Sequence, residues 1–218
     1  MTSQRHSAAG WPGLPARTAT NRVEDTEILR ATRDSVLEHG VRRTTLTEIA
    51  RRARISRMTL YRRFPDVTSL VGTLMTRDFC TILRNSREHE GTGTARERLV
   101  VAALETVRQL QDSALLRQVL DTDPELLLPY LVERLGSTQL AAERFLLDYL
   151  TEGHLDGSVR RSDPAAQARA LLLLVQSFVV SARLAAETEP AAMSRELAAL
   201  LDAALRPAPA RPAFPEAP

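Results

Sequence analysis

Residues 42–63, RRTTLTEIARRARISRMTLYRR, decide how the chain is read. Thr45-Leu46-Thr47-Glu48 has capping-box spacing: Thr45 accepts from the amide three residues on and Glu48 reaches back, so a helix begins near Leu46. Ile49, Ala50 and Ala53 give that helix an apolar side. Ser56 is suited to cap a short second helix running to about Arg63, which Phe64-Pro65-Asp66 ends. Two short helices joined by a tight turn form a helix-turn-helix, whose second helix can lie in the major groove of DNA.

Charge supports the same reading. The window holds Arg42, Arg43, Arg51, Arg52, Arg54, Arg57, Arg62 and Arg63 against Glu48, a net +7 in a chain of net charge +2, so the remainder sums to −5. A basic block on a slightly acidic body is the footprint of a nucleic-acid surface, because each neutralised phosphate releases counterions. A solvated helix face carries similar runs; the helix-turn-helix context separates the two.

Composition narrows the rest. The 218 residues are 44% hydrophobic and 26% charged, which suits a folded chain of one or two domains and excludes disorder throughout. All 29 basic residues are arginine, a pattern that reads as codon bias in a GC-rich genome and that removes Schiff-base, P-loop and kinase lysines. A single cysteine, Cys80, forbids an intramolecular disulfide or a multi-cysteine metal site and fits a reducing cytoplasm. The first 22 residues lack the apolar run of a secretory signal, and the apolar stretch between Arg169 and Arg183 is broken by Gln176, Ser177 and Ser181, short of the roughly 20 residues that cross a bilayer. A cytoplasmic protein without membrane attachment is expected. There is no glycine-rich phosphate loop, nucleophile elbow or zinc spacing, and the Asp121/Asp123 and Asp148/Glu152 pairs read as caps and helix surface. Neither enzyme activity, cofactor nor metal is expected.

Outward from the window the chain reads as helix nearly throughout, with no strand alternation. A first helix over 24–39 ends at Gly40, where a left-handed cap is needed. A fourth presents Leu70, Leu74, Met75, Phe79, Ile82 and Leu83 on one face, and Thr94-Ala95-Arg96-Glu97 is another capping box. Asp123-Pro124 and Asp163-Pro164 each place a capping carboxylate before a proline and open further helices. The last two helices, about 164–187 and 190–206, are respectively apolar almost all round and striped by Met193, Leu197, Leu200, Leu201 and Ala204. The organisation expected is all-α with about nine helices: a disordered arm over 1–22, a three-helix DNA-binding head over 23–68, a helical effector-binding and dimerisation domain over 69–206, and a Pro-rich disordered tail over 207–218.

Residues 24–79 resemble the DNA-binding domain of the tetracycline-repressor (TetR) family: Ile28-Leu29 and Ala31, Gly40, Thr44-Thr45, Ile49-Ala50, Ala53, Ile55-Ser56, Thr59-Leu60-Tyr61 and Phe64-Pro65. Three positions depart from the family pattern. Arg54 stands at the usual turn glycine, so it either adopts a left-handed conformation or the turn differs. Met58 replaces a common glycine, and Val67 a common phosphate-contacting lysine. The resemblance implies that Thr45, Thr59 and Tyr61 bond phosphates, while Arg57, Met58 and Arg62 face bases or flanking phosphates, with Ser56, which opens their helix, counted in the same DNA-binding set. Arg42, Arg43 and Thr44 sit at the start of the second helix, where amides also favour phosphate. Arg5, Arg17 and Arg22 could reach an adjacent minor groove.

One helix-turn-helix covers one half-site, so a homodimer on a palindromic operator is expected, joined through helices about 164–187 and 190–206. The resemblance also implies a small-molecule effector bound in the second domain. Met75, Phe79, Leu83, Leu104, Val107, Leu120, Phe145, Tyr149, Gln176 and Phe178 are the candidate lining, with Arg84, Gln109, Gln118 and His154 as further polar groups. For each apolar position plain core packing is the competing reading. The function expected is a repressor released by a hydrophobic effector; an activator or a constitutive regulator without effector is the alternative.

Overall fold

In the computed structural model, which describes residues 19–89 and 91–207, ten α-helices and two 3-10 turns make up the regular structure. They are α1 (Ala19–His39), α2 (Leu46–Arg52), α3 (Arg57–Arg63), α4 (Val67–Glu88), α5 (Ala95–Asp112), α6 (Ala114–Thr122), α7 (Leu128–Val132), α8 (Ser137–Asp156), α9 (Pro164–Val180) and α10 (Pro190–Leu205). Arg5, Arg17 and most of the Pro-rich tail lie outside the described residues. The all-α expectation holds, with local differences. Helix α1 begins at Ala19, so residues 19–22 belong to a helix rather than an arm. The expected helix 164–187 stops at Val180 and continues as a 3-10 turn over Ala182–Ala185.

The two Asp-Pro pairs behave differently. Asp163 caps α9 by accepting from the Ala165 and Ala166 amides. Asp123 caps nothing: Pro124 opens a 3-10 turn over Pro124–Leu126, followed by the short α7, and the Asp123 carboxylate is directed elsewhere. The Thr94 box closes in both directions at the head of α5. At Thr45 only half of the box forms, because Glu48 turns its carboxylate to Arg52.

Two apolar cores fill the molecule. The first gathers Ile28, Val36, Ile49 and Leu60 from α1–α3. It does not stop at residue 68, since Leu70, Val71 and Leu74 of α4 and Leu115 and Val119 of α6 belong to it as well. The second core takes Phe79 and Leu83 from the far half of α4 and joins them to α5, α8, α9 and α10. Helix α4 is therefore a shared beam between head and body. Helix α10, whose stripe was expected to meet a partner, turns Leu197, Leu201 and Leu205 into its own chain's core against α5. Leu200 of the same stripe stays exposed, and the neighbouring helices α8 and α9 leave Leu140 and Leu155, and Leu173, exposed on the sides away from that core. No helix among the described residues is long and apolar enough to cross a membrane.

Candidate nucleic-acid interface

The turn that aims α3 is set by a closed pair of reversed hydrogen bonds at the end of α2: Ile55 N donates to Ala50 O (3.0 Å) and Arg54 N to Arg51 O (3.2 Å). That pattern requires a left-handed residue between them, and Arg54 takes it at φ +55°. Of the two options open for this position, the arginine adopts the glycine-like conformation and the turn is kept. Helix α3 is then started by Ser56, whose hydroxyl accepts from Thr59 N (3.0 Å) and lies 2.7 Å from the Thr59 hydroxyl. Leu60, fully buried, anchors the inner side of α3. Its outer side carries Arg57, Met58, Tyr61 and Arg62, all exposed.

Helix α2 lies beside it. Thr45 caps α2 by accepting from Glu48 N (3.2 Å), which leaves its hydroxyl at the surface. A cleft of about 430 Å³ between the two helices is lined by Thr45, Thr47, Arg51, Ile55 and Arg57, among others. Thr47 and Arg51 were not singled out from sequence, although their spacing of four puts them on one face of α2. Thr44 is a correction: it is buried, and its hydroxyl donates to Gly40 O (2.8 Å), so it stabilises the loop from within and offers nothing to a phosphate.

The arginines of the +7 window divide into two groups. Arg52 pairs with Glu48 (2.8 Å) and Glu38 (2.5 Å), and Arg63 with Glu24 (3.3 Å) and Asp25, so both tie the head together. The Arg52 hydrogen bond holds Glu38 below the usual carboxylate range. Arg43 donates to His39 O (2.8 Å). Arg42 reaches the body, with Nε 2.9 Å from Glu125 Oε1 and 3.5 Å from Asp123 Oδ1. Among the described residues, Arg51, Arg54, Arg57 and Arg62 make no ion pair, nor does Arg43, whose charge stays unpaired beside its carbonyl contact, and these are the cations of the window left to face an anionic partner.

Asp123 is a buried polar contact between head and body. It is 1% exposed, and its Oδ2 accepts from Val41 N (2.9 Å) and from the Thr122 hydroxyl (2.6 Å). Burial pushes its carboxyl up, but the Thr122 hydroxyl, the Val41 and Arg42 amides and the Arg42 charge outweigh burial and hold it below the ordinary carboxylate range. Gly40, at φ +77°, lets the loop close on it; a Cβ there would lie 3.2 Å from Thr122 Oγ1.

The candidate effector residues are mostly core. Phe79, Leu83, Val107, Phe145 and Tyr149 are buried together, with Leu104 and Phe178 packed against them. Met75 packs on the head core instead, and Leu120 and Gln176 are half-buried. A groove of about 220 Å³ reaches Leu83 and Phe145 from outside, past Arg84, Arg87 and Glu88. Beside it the Tyr149 ring packs in a tilted arrangement 5.1 Å from the Phe145 ring and under the Arg87 guanidinium, also at 5.1 Å. The Tyr149 hydroxyl is buried and has no hydrogen-bond partner among the described residues. Gln109 and His154 are engaged, by Glu105 and by Gln167 (2.9 Å). Burial pushes the Cys80 thiol up, away from a reactive thiolate.

The sequence model for bacterial regulatory proteins of the tetR family matches residues 28–72. An uncharacterized HTH-type transcriptional regulator of Mycobacterium bovis is 39% identical over 155 residues, covering 71% of this chain and 79% of the relative. A Mycobacterium tuberculosis regulator of the same description matches to the same extent. Among solved structures, the fold is similar to the R. erythropolis transcriptional repressor QsdR (TM-score 0.65, 18% identity, 85% of this chain and 97% of that one). It is also similar to RolR in complex with resorcinol (0.63, 15%, 88% and 92%) and to FadR of Bacillus subtilis in complex with stearoyl-CoA (0.60, 17%, 83% and 99%). The sequence relatives are described as transcriptional regulators, not as enzymes.

Proposed function

The chain belongs to the tetR family of bacterial regulatory proteins, and from that premise we propose that it is a dimeric repressor that occupies a palindromic operator in the cytoplasm until a small, largely hydrophobic effector releases it. The observation that carries the DNA-reading half is the outer side of α3, where Arg57, Met58, Tyr61 and Arg62 stand free on a helix locked by Leu60 and Ser56. Arg57 and Arg62 have the donors to clamp guanine O6 and N7. Tyr61, Thr45, Thr47 and Arg51 suit phosphate oxygens, and Arg42 and Arg43 flank them. Thr59 shares its hydroxyl with Ser56, so both act first in fixing the helix.

Two copies meet through α8 and α9. Leu140 and Leu155 of α8 and Ala166, Ala170, Leu173 and Ser177 of α9 lie at spacings of three, four and multiples of them, on sides the chain's own core does not use. A bundle of four such helices buries that surface across a two-fold axis.

For the effector, the unpartnered Tyr149 hydroxyl is the supporting observation. A buried donor left unpaired costs about 1–3 kcal/mol, which a ligand oxygen recovers. An effector that opens the packing around Tyr149 displaces α4 and α8, and α4 carries the displacement into the head core. Release then follows if the effector binds the displaced state better. Two neighbours of the same fold are described in complex with resorcinol and with stearoyl-CoA, which supports a small-molecule effector for this chain. A constitutive regulator is the second reading, favoured by how completely the candidate lining packs together; a thermal-shift screen of aromatic and acyl compounds that raises no melting temperature would decide for it.

The central test is selection of bound sequences from a random duplex pool, followed by titration at several salt concentrations. Binding should weaken with salt at a logarithmic slope of about −0.9 per phosphate neutralised. Tyr61→Ala should lower affinity for all sequences alike, and Arg57→Ala should relax preference at one base position. Absence of salt-dependent binding sinks the reading.

A further inference from the structure

Met58 is 79% exposed, the most exposed large apolar side chain of the head. Nothing in the protomer needs it there: α3 is held by fully buried Leu60 and capped by Ser56, and neither contact involves Met58. It sits in the first turn of α3, the part of a recognition helix that approaches base edges. Tyr61 and Arg62, three and four residues on, share its side of the helix. Around it the available chemistry is cationic or hydroxylic, so Met58 is the apolar element of the reading face.

A thioether has no hydrogen to donate and accepts weakly, so it cannot read the donor and acceptor pattern of the groove. The one apolar feature that base edges present in the major groove is the C5-methyl of thymine. Methionine is flexible and polarisable enough to close on a methyl group without a preformed socket. A protein partner fits less well, because Met58 stands singly among Arg57, Arg62 and Tyr61, and the like charges oppose self-association. Resting on the DNA-reading function above, we propose that Met58 is a specificity-determining residue that recognises a thymine C5-methyl in each half-site.

The test uses the full chain and the operator obtained by selection. Each half-site thymine is replaced in turn by deoxyuridine, which keeps the pairing and removes only the methyl, and affinity is measured for wild type and Met58→Ala. At one symmetric position wild type should lose about fourfold per half-site, roughly fifteenfold in all. Met58→Ala should bind the thymine and uracil operators equally. Wild type indifferent to every replacement overturns the proposal, as does a Met58→Ala protein that retains the full uracil penalty, since another residue then reads the methyl. Both results leave operator binding intact, whereas failure to select any duplex overturns the DNA-reading function itself. The exposed position makes Met58→Ala neutral to folding, checked by an unchanged thermal transition.

Discussion

Arg54 holds a left-handed backbone because the turn from α2 to α3 needs one and the rest of the turn determines it. For a residue with a Cβ this conformation costs about 1–2 kcal/mol, while glycine would lose roughly 0.5–1 kcal/mol of chain entropy on folding. Arg54→Gly should therefore stabilise the protein by up to about 1 kcal/mol, read as a higher urea midpoint at constant slope; a lower midpoint would show that the position stores no strain. The same variant removes a cation without an ion pair, so operator affinity should fall while stability rises. The caps at Thr45, Ser56 and Thr94 were legible in the sequence because each bond joins residues three apart along the chain. The inward turn of Thr44 was not, since it depends on how the loop after α1 folds back over Gly40 O.

Helices α4 and α6 join what the sequence divides at residue 68. Leu115 and Val119 complete the head core from the body side, and Asp123, at the end of α6, holds Val41 N in the loop before α2. The folded Asp123 carboxyl lies below its ordinary value, so it favours the folded state above about pH 4 and loses that contribution as pH falls through its folded value. Asp123→Asn keeps an acceptor but removes the charge, and should cost about 1–3 kcal/mol at pH 7. Because the wild-type group itself becomes protonated in acid, the gap between the two proteins should narrow below about pH 4, measured by paired urea melts. A gap constant across pH would mean that the charge contributes nothing. The Asp-Pro pattern was readable as a helix start at 163 and misleading at 123. The two carboxylates look alike locally and differ only in that the head's loop lies against the second.

At the scale of the whole molecule, the proposed pairing of two copies rests on the apolar side chains that α8 and α9 leave exposed. Leu173→Glu, at a side chain 54% exposed in the protomer, should leave the fold intact and give a monomer in sedimentation, with operator affinity reduced at least tenfold as two linked half-sites become independent. A stable dimer of this variant would place the interface elsewhere. From sequence the partner surface was assigned to the last two helices; Leu197, Leu201 and Leu205 of α10 pack inward while Leu200 stays exposed, because hydrophobicity reports that a face is buried, not against what. By itself the sequence determined the all-helical plan, the head and its recognition helix, since periodicity, caps and turn residues act within a few residues of one another. Only the tertiary structure decided which arginines are tied down, that Asp123 and α4 couple body to head, and which apolar side chains of α8 and α9 remain exposed. Those outcomes depend on contacts between residues tens of positions apart, where packing selects among partners the local pattern leaves equivalent.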